Sequence, residues 1–402
     1  MYCLESTMRR VGVRDQRQVS RSRWFRFTVF GIFFAVTLVS VSLFEGVDEA
    51  KDAEAKEDVG SAEGRSAGSQ IEEKPALKSV SMKILMVTDM DERSYDEANQ
   101  RWIAKVQTGN VTGSEEAGFK VFLDPQGEGD LNVLVSDVAV GKRGMELSEF
   151  EYFAGKLLTG DDHTGVLYEL DGVETGKYSL KKWLELKDLD GTADSAFKIE
   201  WMTVKDGKLI VGSHGRETTD PQDSSVVKGK ERMWVKEIDE DGNVTHVDWT
   251  DRYDKIREAA GISFPGYLMH EAVLWDEQRR AWLFFPRRFS ETGYDGDDNE
   301  LKGWNHALIL SEDFDKVLED IDFEDLSSGG AEGFSSVKFM PGTDNRLVLA
   351  LRSVERNALD DFKTFLSVLD LRKPKVILPE SAVPPLDDKY EGLVFLRTPT
   401  AD

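Results

Sequence analysis

Short apolar runs and polar turns alternate along most of this chain, and residues 197–217 show the pattern most clearly. Trp201, Thr203 and the run 209–211 supply the aromatic and β-branched side chains that strands favour. Asp206-Gly207, which lies between the two apolar runs, is typical of a two-residue hairpin turn. The pattern predicts a β-hairpin with the carboxylate of Glu200 at its entrance.

The same arrangement recurs along the chain: one carboxylate or hydroxyl side chain precedes an apolar strand, a turn and a second apolar strand. The residues that open these units are Ser148, Glu200, Glu271, Ser335 and Glu391. They lie roughly 50 to 70 residues apart, the spacing expected of four-stranded propeller blades with long loops. The repeats predict an all-β fold, a five-bladed β-propeller, with one helix at 251–260 that Gly261 closes.

The five opening residues are also the candidate metal ligands. The innermost strands of a propeller run beside its central axis, so equivalent positions of all blades converge there. Three carboxylates gathered in this way repel each other unless a cation joins them, and an all-oxygen ligand set suits calcium. Magnesium requires stricter octahedral geometry, and zinc prefers Cys and His ligands. For any one of these residues alone, the alternative is a polar side chain at a strand end.

The N-terminal region differs in composition from the rest of the chain. Residues 1–26 are rich in arginine, residues 27–44 are uncharged and apolar, and residues 45–80 are mostly a low-complexity acidic run. This order predicts a cytoplasmic tail, a transmembrane signal-anchor and a flexible stem. We expect a type II membrane protein of the endoplasmic reticulum or Golgi, with residues 81–402 in the lumen. A cleaved signal peptide is the competing interpretation, and a secreted or cell-surface form stays open.

Composition narrows the partners of the folded part. The 402 residues carry a formal net charge of -25, which argues against a nucleic-acid partner. The one cysteine, Cys3, precedes the apolar segment, so we expect no disulfide in the folded domain. Asn110 and Asn243 each begin an N-x-T sequence, which is an acceptor for glycosylation on the lumenal side.

Charged residues at two strand ends suggest further chemistry. An apolar strand over 83–87 leads to Asp89 and Asp91, and only one of the two would face a given site because side chains alternate along a strand. Arg287 and Arg288 end another strongly apolar strand. Arginine can form paired hydrogen bonds with phosphate oxygens, so cations beside a metal are typical of a phosphate site. The alternative is two solvated arginines at a strand end.

Six segments of the chain resemble segments of one known family. They are R-G-M-E-L-S at 143–148, F-K-I-E-W at 197–201, P-G-Y-L-M-H-E at 265–271, F-P-R-R at 285–288, G-F-S-S-V-K-F-M-P at 333–341 and K-Y-E-G at 389–392. From about 84 to 395 the chain resembles the soluble calcium-activated nucleotidase, or apyrase, family. The resemblance implies a five-bladed propeller with calcium near its axis that hydrolyses nucleoside di- or triphosphates of the UDP, GDP, ADP or ATP class.

The resemblance also implies roles for particular residues. Ser148, Glu200, Glu271, Ser335 and Glu391 match the family's calcium ligands. Asp89 matches an acidic residue implicated in catalysis, and we expect it to orient or deprotonate the attacking water. We expect four cations, Arg143, Arg287, Lys338 and Arg352, to hold the phosphates. The chain departs from the family at Thr218, where an aromatic residue is common, and at Glu332, where histidine is common, so nucleotide preference is not carried over.

Two other classes of function stay open from the sequence. A calcium-dependent propeller lactonase or esterase would also use a central carboxylate site, but it would not need basic residues at the rim. A non-catalytic binding propeller would use calcium only for rigidity.

Overall fold

Five antiparallel sheets, here called blades 1 to 5, make up most of the fold in a computed structural model that describes residues 79–125, 132–326, 330–383 and 385–397. Blade 1 contains β1 (Val80–Thr88), β2 (Tyr95–Asp96), β3 (Arg101–Ser114), β4 (Gly118–Leu123), β5 (Val133–Ser136) and the last strand, β24 (Tyr390–Phe395). Blade 2 contains β6 (Leu147–Phe153), β7 (Lys156–Asp161), β8 (Val166–Asp171) and β9 (Ser179–Glu185).

The other three blades follow in chain order. Blade 3 contains β10 (Trp201–Lys205), β11 (Lys208–Gly212), β14 (Trp234–Ile238) and β15 (Val244–Asp248), with a separate ribbon of β12 (Thr218–Thr219) and β13 (Val227–Gly229). Blade 4 contains β16 (Tyr267–Asp276), β17 (Ala281–Ser290), β18 (His306–Ser311) and β19 (Val317–Asp322). Blade 5 contains β20 (Gly333–Phe339), β21 (Leu347–Arg356), β22 (Asp361–Asp370) and β23 (Lys375–Leu378). The helices are α1 (Thr250–Ala259) and the short α2 (Gly296–Asn299). The prediction of an all-β, five-bladed propeller is confirmed.

Blade 1 is built from both ends of the chain. The C-terminal strand β24 pairs antiparallel with β1, with Ile84 opposite Phe395 and Met86 opposite Leu393. On its other side β1 pairs with β3, so β24 takes the innermost place in this blade. The last strand therefore closes the ring, and Glu391 reaches the axis only because of this pairing.

The core consists of five buried apolar clusters, one between each pair of neighbouring blades. Because side chains alternate along a strand, β1 serves two of them. Ile84 and Met86 join the cluster shared with blade 5, while Leu85 and Val87 join the cluster shared with blade 2. The blade faces are thus used for packing, and polar groups are left to the ends of the strands near the axis.

Local sequence signals match the observed elements closely. The predicted hairpin is β10 and β11, and its turn residues Asp206 and Gly207 have φ of 50° and 74°. Two positive φ angles in succession are what a type I′ turn requires, so the Asp-Gly pair suits this place. The predicted helix is α1, and Gly261 follows it with φ of 75°.

Four innermost strands carry a β-bulge near the axis. The strand register shifts around Glu271 in β16, Ser335 in β20 and Glu391 in β24. In β6 the residue at the bulge is Glu149, which follows Ser148. A bulge takes one residue out of the hydrogen-bonded ladder and re-aims its side chain. Three of the residues that open the repeats therefore occupy equivalent places in their blades.

The N-terminal predictions fall on residues that the structure does not describe. The tail at 1–26, the anchor at 27–44 and nearly all of the stem at 45–80 lie outside the described residues, and β1 begins at Val80. In the described part of the chain, neither helix has the length and apolar composition needed to cross a membrane.

Candidate metal centre and active site

Three of the predicted metal ligands meet in one cavity on the propeller axis. Glu200 precedes β10, Glu271 lies in β16 and Glu391 lies in β24, and all three line a cavity of about 220 Å³ together with Asp89. Each of these carboxylates is almost completely buried. Buried carboxylates this close together need opposite charge nearby, and the surrounding side chains show where it comes from.

Arg287 neutralises two of the three carboxylates that are predicted to bind the metal. Its Nη1 contacts the carboxylate of Glu271 and lies 2.6 Å from Glu391 Oε1, while its Nη2 lies 2.7 Å from Glu355 Oε2. Burial alone would lower the pKa of Arg287, but these three carboxylates raise it well above its usual value. Arg287 is therefore a permanent positive charge at the centre of the site, where the sequence predicted a phosphate-binding cation.

Glu200 has a different set of cationic partners. Lys198 Nζ lies 2.5 Å from Glu200 Oε1, and His214 Nε2 lies 2.8 Å from the same oxygen. His214 Nε2 is also 3.6 Å from Glu271 Oε1, so the imidazole stands between two predicted ligands. Burial favours the neutral acid, but the charges of His214 and Lys198 outweigh it and hold the pKa of Glu200 below its usual value. Glu200 is therefore ionised at neutral pH.

The two serines among the five predicted metal ligands lie beside the three carboxylates rather than between them. Ser148 Oγ donates a hydrogen bond of 3.4 Å to Glu391 Oε2, which places it beside the carboxylates. Ser335 Oγ lies 2.9 Å from Ser353 Oγ and donates to the carbonyl oxygen of Tyr390 at 3.1 Å. The hydroxyl of Ser335 thus contacts the backbone next to Glu391 rather than a carboxylate of the ring.

Asp89 lies immediately after β1 and faces the same cavity. Its carboxylate lies 2.9 Å from Lys389 Nζ, and its Oδ1 accepts a hydrogen bond of 2.8 Å from the backbone N–H of Asp91. Burial and then the charge of Asp91 raise the pKa of Asp89 well above its usual value. The side chain is therefore held in place by two donors in an environment that favours proton acceptance.

Asp91 and Arg143 also line the cavity, so the expectation that only one of Asp89 and Asp91 would face a given site is wrong. Asp91 lies 2.8 Å from Lys389 Nζ and 2.9 Å from Arg143 Nη2. Arg143 also pairs with Glu146, whose pKa burial raises to about 9. Asp89, Asp91 and Glu146 offer ligand atoms that all lie within 4.8 Å of one another, as do Glu200, His214 and Glu271. All members of the Glu200 group line the cavity, whereas the Asp89 group combines two lining residues with Glu146, which is not part of the lining.

The two other predicted phosphate ligands lie outside the cavity lining. Lys338 Nζ is 3.1 Å from Glu151 and 3.4 Å from Glu149. Arg352 Nη1 is 2.7 Å from Glu380, and its Nη2 donates to the carbonyl oxygen of Glu332 at 3.0 Å. Both cations are buried, and their carboxylate partners do not line the cavity. Of the four cations predicted to hold phosphate, the structure brings only Arg143 and Arg287 to the cavity.

Several cavity residues were not selected from the sequence as functional. They are Asp162, Lys198, His214, Met269, Tyr294, Asn299, Glu355 and Lys389. A signal existed for two of them, because Lys198-Ile199-Glu200 and Lys389-Tyr390-Glu391 share the pattern Lys-x-Glu. Residues two apart on an extended segment lie on one side, so each lysine accompanies a ring carboxylate. For Glu355 no comparable local signal exists, because it comes from the second strand of its blade.

The donor set of the cavity suits a hard divalent cation. Glu200, Glu271 and Glu391 offer carboxylate oxygens, Ser148 offers a hydroxyl beside them, and no cysteine lies among the lining residues that the structure describes. Calcium accepts six to eight oxygen ligands in flexible geometry. His214 adds one nitrogen but stands between two carboxylates. The residues present therefore fit calcium.

Comparison with known proteins identifies the family. The family model described as Apyrase matches residues 89–396, which extend from the candidate base Asp89 to the last strand. The chain belongs to the apyrase family. Soluble calcium-activated nucleotidase 1 of Mus musculus is 36% identical over 315 residues, which are 78% of this chain and 73% of that protein.

Two further relatives cover the chain to different extents. An apyrase of Cimex lectularius is 35% identical over 79% of this chain and 83% of its own length. Apyrase apy-1 of Caenorhabditis elegans is 32% identical over 94% of this chain and 99% of its own length. Among solved structures, the Nup133 β-propeller domain of Vanderwaltozyma polyspora covers 80% of this chain and 91% of that chain, with 10% identity and a TM-score of 0.30.

Proposed function

We propose that this chain is a calcium-dependent hydrolase that releases inorganic phosphate from nucleoside di- and triphosphates. Membership of the apyrase family supports nucleotide hydrolysis. The observation that carries the proposal is that ligands for a hard cation and side chains able to bind phosphate share one buried cavity. A nucleotide's terminal phosphates carry several negative charges, and binding them requires both kinds of group.

In this proposal calcium is held by Glu200, Glu271, Glu391 and Ser148. Calcium held by these residues would supply positive charge to phosphate oxygens and would lower the pKa of a water molecule. Ser335 occupies the ring position of blade 5, and its hydrogen bond to the carbonyl of Tyr390 supports the strand that carries Glu391. Ser335 stays the fifth predicted calcium ligand. We also assign it a second role, which is to position the segment that carries Glu391.

Arg287 and Arg143 bind the phosphates in this proposal. A guanidinium group forms paired hydrogen bonds with phosphate oxygens and stays charged at all physiological pH values. Both residues line the cavity, and both already contact carboxylates. A bound phosphate would compete with these carboxylates for the guanidinium groups, and a bound metal would compete with the guanidinium groups for the carboxylates. Lys338 and Arg352 remain predicted phosphate ligands with less support, because neither lines the cavity.

Asp89 is the proposed general base. It takes up the proton of the attacking water while Lys389 and the backbone N–H of Asp91 hold its orientation. A carboxylate whose pKa burial raises is a stronger base than an exposed one. The water then attacks the terminal phosphorus in line with the bond to the departing nucleotide. Positioning and charge stabilisation, rather than a covalent enzyme intermediate, provide the rate enhancement.

The test is a phosphate-release assay on the purified full chain. Nucleoside di- and triphosphates of uridine, guanosine and adenosine are compared in calcium, in magnesium and in chelator. We expect turnover in calcium and none in chelator. Hydrolysis of lactones or esters without phosphate release would favour the propeller lactonase or esterase, and the absence of any turnover would favour a non-catalytic binding propeller. Either result would overturn the proposal.

The site of action is a separate part of the proposal. We propose that the chain is a type II membrane protein of the secretory pathway. The proposal is based on the arginine-rich composition of residues 1–26 and the apolar composition of residues 27–44. Asn243, one of the two predicted glycosylation acceptors, is exposed in the turn between β14 and β15. Glycosidase treatment should reduce the apparent mass, and an N-terminal tag should stay on the cytoplasmic side. A tag in the lumen, or a mature N-terminus near Glu45, would contradict the anchor.

A further inference from the structure

The side of the cavity opposite Asp89 is formed by blades 3 and 4. Asp89 belongs to blade 1, and the five blades follow one another in chain order around the axis, as the five interblade clusters show. In a ring of five, the direction opposite blade 1 falls between blades 3 and 4. His214 of blade 3 and the loop after β17 of blade 4 line the cavity on that side.

The chemistry of the proposed reaction requires the nucleotide to leave on this opposite side. Phosphoryl transfer to water proceeds with the attacking and leaving oxygens roughly in line with the phosphorus. If Asp89 holds the attacking water, the bond that breaks points away from Asp89. The nucleoside end of the substrate therefore extends toward blades 3 and 4.

An aromatic side chain with a cation beside it lines the part of the cavity toward which the nucleoside would extend. Tyr294, in the loop after β17, lines the cavity. The guanidinium of Arg216 lies 3.7 Å from the centroid of the Tyr294 ring, and the ring of Tyr267 meets it edge-on at 5.5 Å and 62°. The hydroxyl of Tyr267 donates to Asn299 Oδ1 at 2.8 Å, and Asn299 also lines the cavity. Tyr294 is thus held in place by its neighbours at the edge of the site.

Arg216 is oriented toward this ring rather than toward the acid beside it in sequence. Both carboxylate oxygens of Glu217 accept from Arg257, at 2.8 and 3.0 Å. Arg216 Nη1 donates to the carbonyl oxygen of Glu217 at 2.8 Å, which leaves its charge directed at Tyr294 and Tyr267. A cation held against an aromatic ring at the mouth of a phosphate site is suited to a ligand that is aromatic and anionic.

We infer that Tyr294, held by Arg216 and Tyr267, is the nucleoside-binding element of this site. The base stacks against the Tyr294 side of the cavity, and Arg216 provides positive charge toward the phosphate next to the ribose. Every nucleobase has a π face, so stacking of this kind favours nucleotides over phosphate chains without a base and distinguishes the bases only weakly. The inference rests on the proposed function, because it assumes that a phosphoanhydride is cleaved at Asp89.

The test compares a nucleoside triphosphate with inorganic tripolyphosphate, which has the same phosphate chain and no base. The variants are Tyr294→Leu, which removes the ring, and Tyr294→Phe, which keeps it. Phe122→Leu is the matched control, since Phe122 is an exposed aromatic residue on the outer strand β4 of blade 1. The measured quantity is the ratio of kcat/KM for the nucleotide to kcat/KM for tripolyphosphate.

We expect Tyr294→Leu to lower this ratio by about 5- to 150-fold, the range that the loss of one base–aromatic stack gives. The loss should lie mainly in the KM for the nucleotide. Phe122→Leu should keep the ratio of the unchanged chain, and Tyr294→Phe, which keeps the aromatic ring, should lower the ratio much less than Tyr294→Leu does. Arg216→Met should lower the ratio in the same direction, and it serves as the second variant if Tyr294→Leu does not fold.

The outcomes separate this inference from the proposed function. If the unchanged chain releases no phosphate from any nucleotide, the proposed function itself fails. If it hydrolyses nucleotides but handles tripolyphosphate equally well, or if Tyr294→Leu and Arg216→Met keep the ratio, the nucleoside-binding role of Tyr294 is overturned while the hydrolase stands.

Discussion

Arg287→Met tests whether one buried guanidinium and calcium neutralise the same carboxylates. Arg287 is 2% exposed and contacts Glu271, Glu391 and Glu355. Methionine keeps much of the apolar stem and removes the charge. Removing one partner of a buried ion pair typically costs about 3 to 5 kcal/mol, because the remaining charge is left uncompensated. Without a metal, we expect a loss of this size in the free energy of unfolding.

Calcium should reduce this loss, because it brings positive charge to Glu271 and Glu391. The assay is urea unfolding of the full chain, with and without the substitution, in saturating calcium and in chelator. A ligand that binds only the folded state stabilises it by RT ln(1 + [L]/Kd), so tighter calcium binding by the variant appears directly as extra stability. We expect the destabilisation in calcium to be less than about half of that in chelator.

Arg346→Met provides the matched control. Arg346 pairs with Asp370 and Glu115 away from the cavity and is partly exposed. Its substitution should destabilise the chain to the same extent in calcium and in chelator, because neither Asp370 nor Glu115 lines the cavity. If Arg287→Met were destabilising to the same extent in both conditions, Arg287 and the metal would not share their partners, and the proposed position of calcium would be wrong.

Three further predictions address the base, the ligands and the core. Asp89→Asn should lower kcat by about 10²- to 10⁴-fold at saturating calcium with a much smaller change in KM, because it removes a general base; rescue by extra calcium would make Asp89 a metal ligand instead. Glu200→Gln and Glu271→Gln should each raise the calcium concentration needed for half-maximal phosphate release, and an unchanged calcium dependence in both would exclude these carboxylates as ligands. Burial lowers the pKa of Lys236 to about 8, so the unfolded chain binds more protons between pH 8 and its ordinary pKa near 10.5, and this lysine's contribution to stability rises with pH in that window. The stability advantage of Lys236→Met over the unchanged chain, measured by urea unfolding, should therefore shrink from pH 7.5 to pH 10; a constant difference would mean that Lys236 is charged in the folded state throughout.

The propeller and its central carboxylates could be predicted from the sequence because both depend on local patterns. Each blade begins with a strand whose turn and apolar positions are close in sequence, as in the hairpin around Asp206 and Gly207. The residues that open the repeats reach the axis wherever the innermost strand does. Glu200, Glu271 and Glu391 therefore meet even though about 190 residues separate the first from the last.

The cations were less predictable, because a long side chain at a strand end takes its partner from whatever lies nearest in space. Arg287 and Arg352 both lie on the second strand of a blade and read alike in the sequence. Arg287 lies among ring carboxylates, whereas Arg352 meets Glu380, which comes from the segment after β23. The packing between neighbouring blades decides which partner such a side chain meets. Patterns in a single sequence do not show that packing.

The pairing of β24 with β1 has a consequence for how the enzyme comes into being. Asp89 stands at the end of β1, and its backbone N–H donates to the carbonyl oxygen of Lys389, while Glu391 follows two residues later on the last strand. During synthesis this strand emerges from the ribosome after the other strands that the structure describes. A chain that has not yet reached β24 therefore lacks Glu391, one of the proposed metal ligands, and Lys389, which pairs with Asp89. Under the proposed function, nucleotide hydrolysis would begin only after β24 has paired with β1, and the appearance of activity would signal that the propeller has closed.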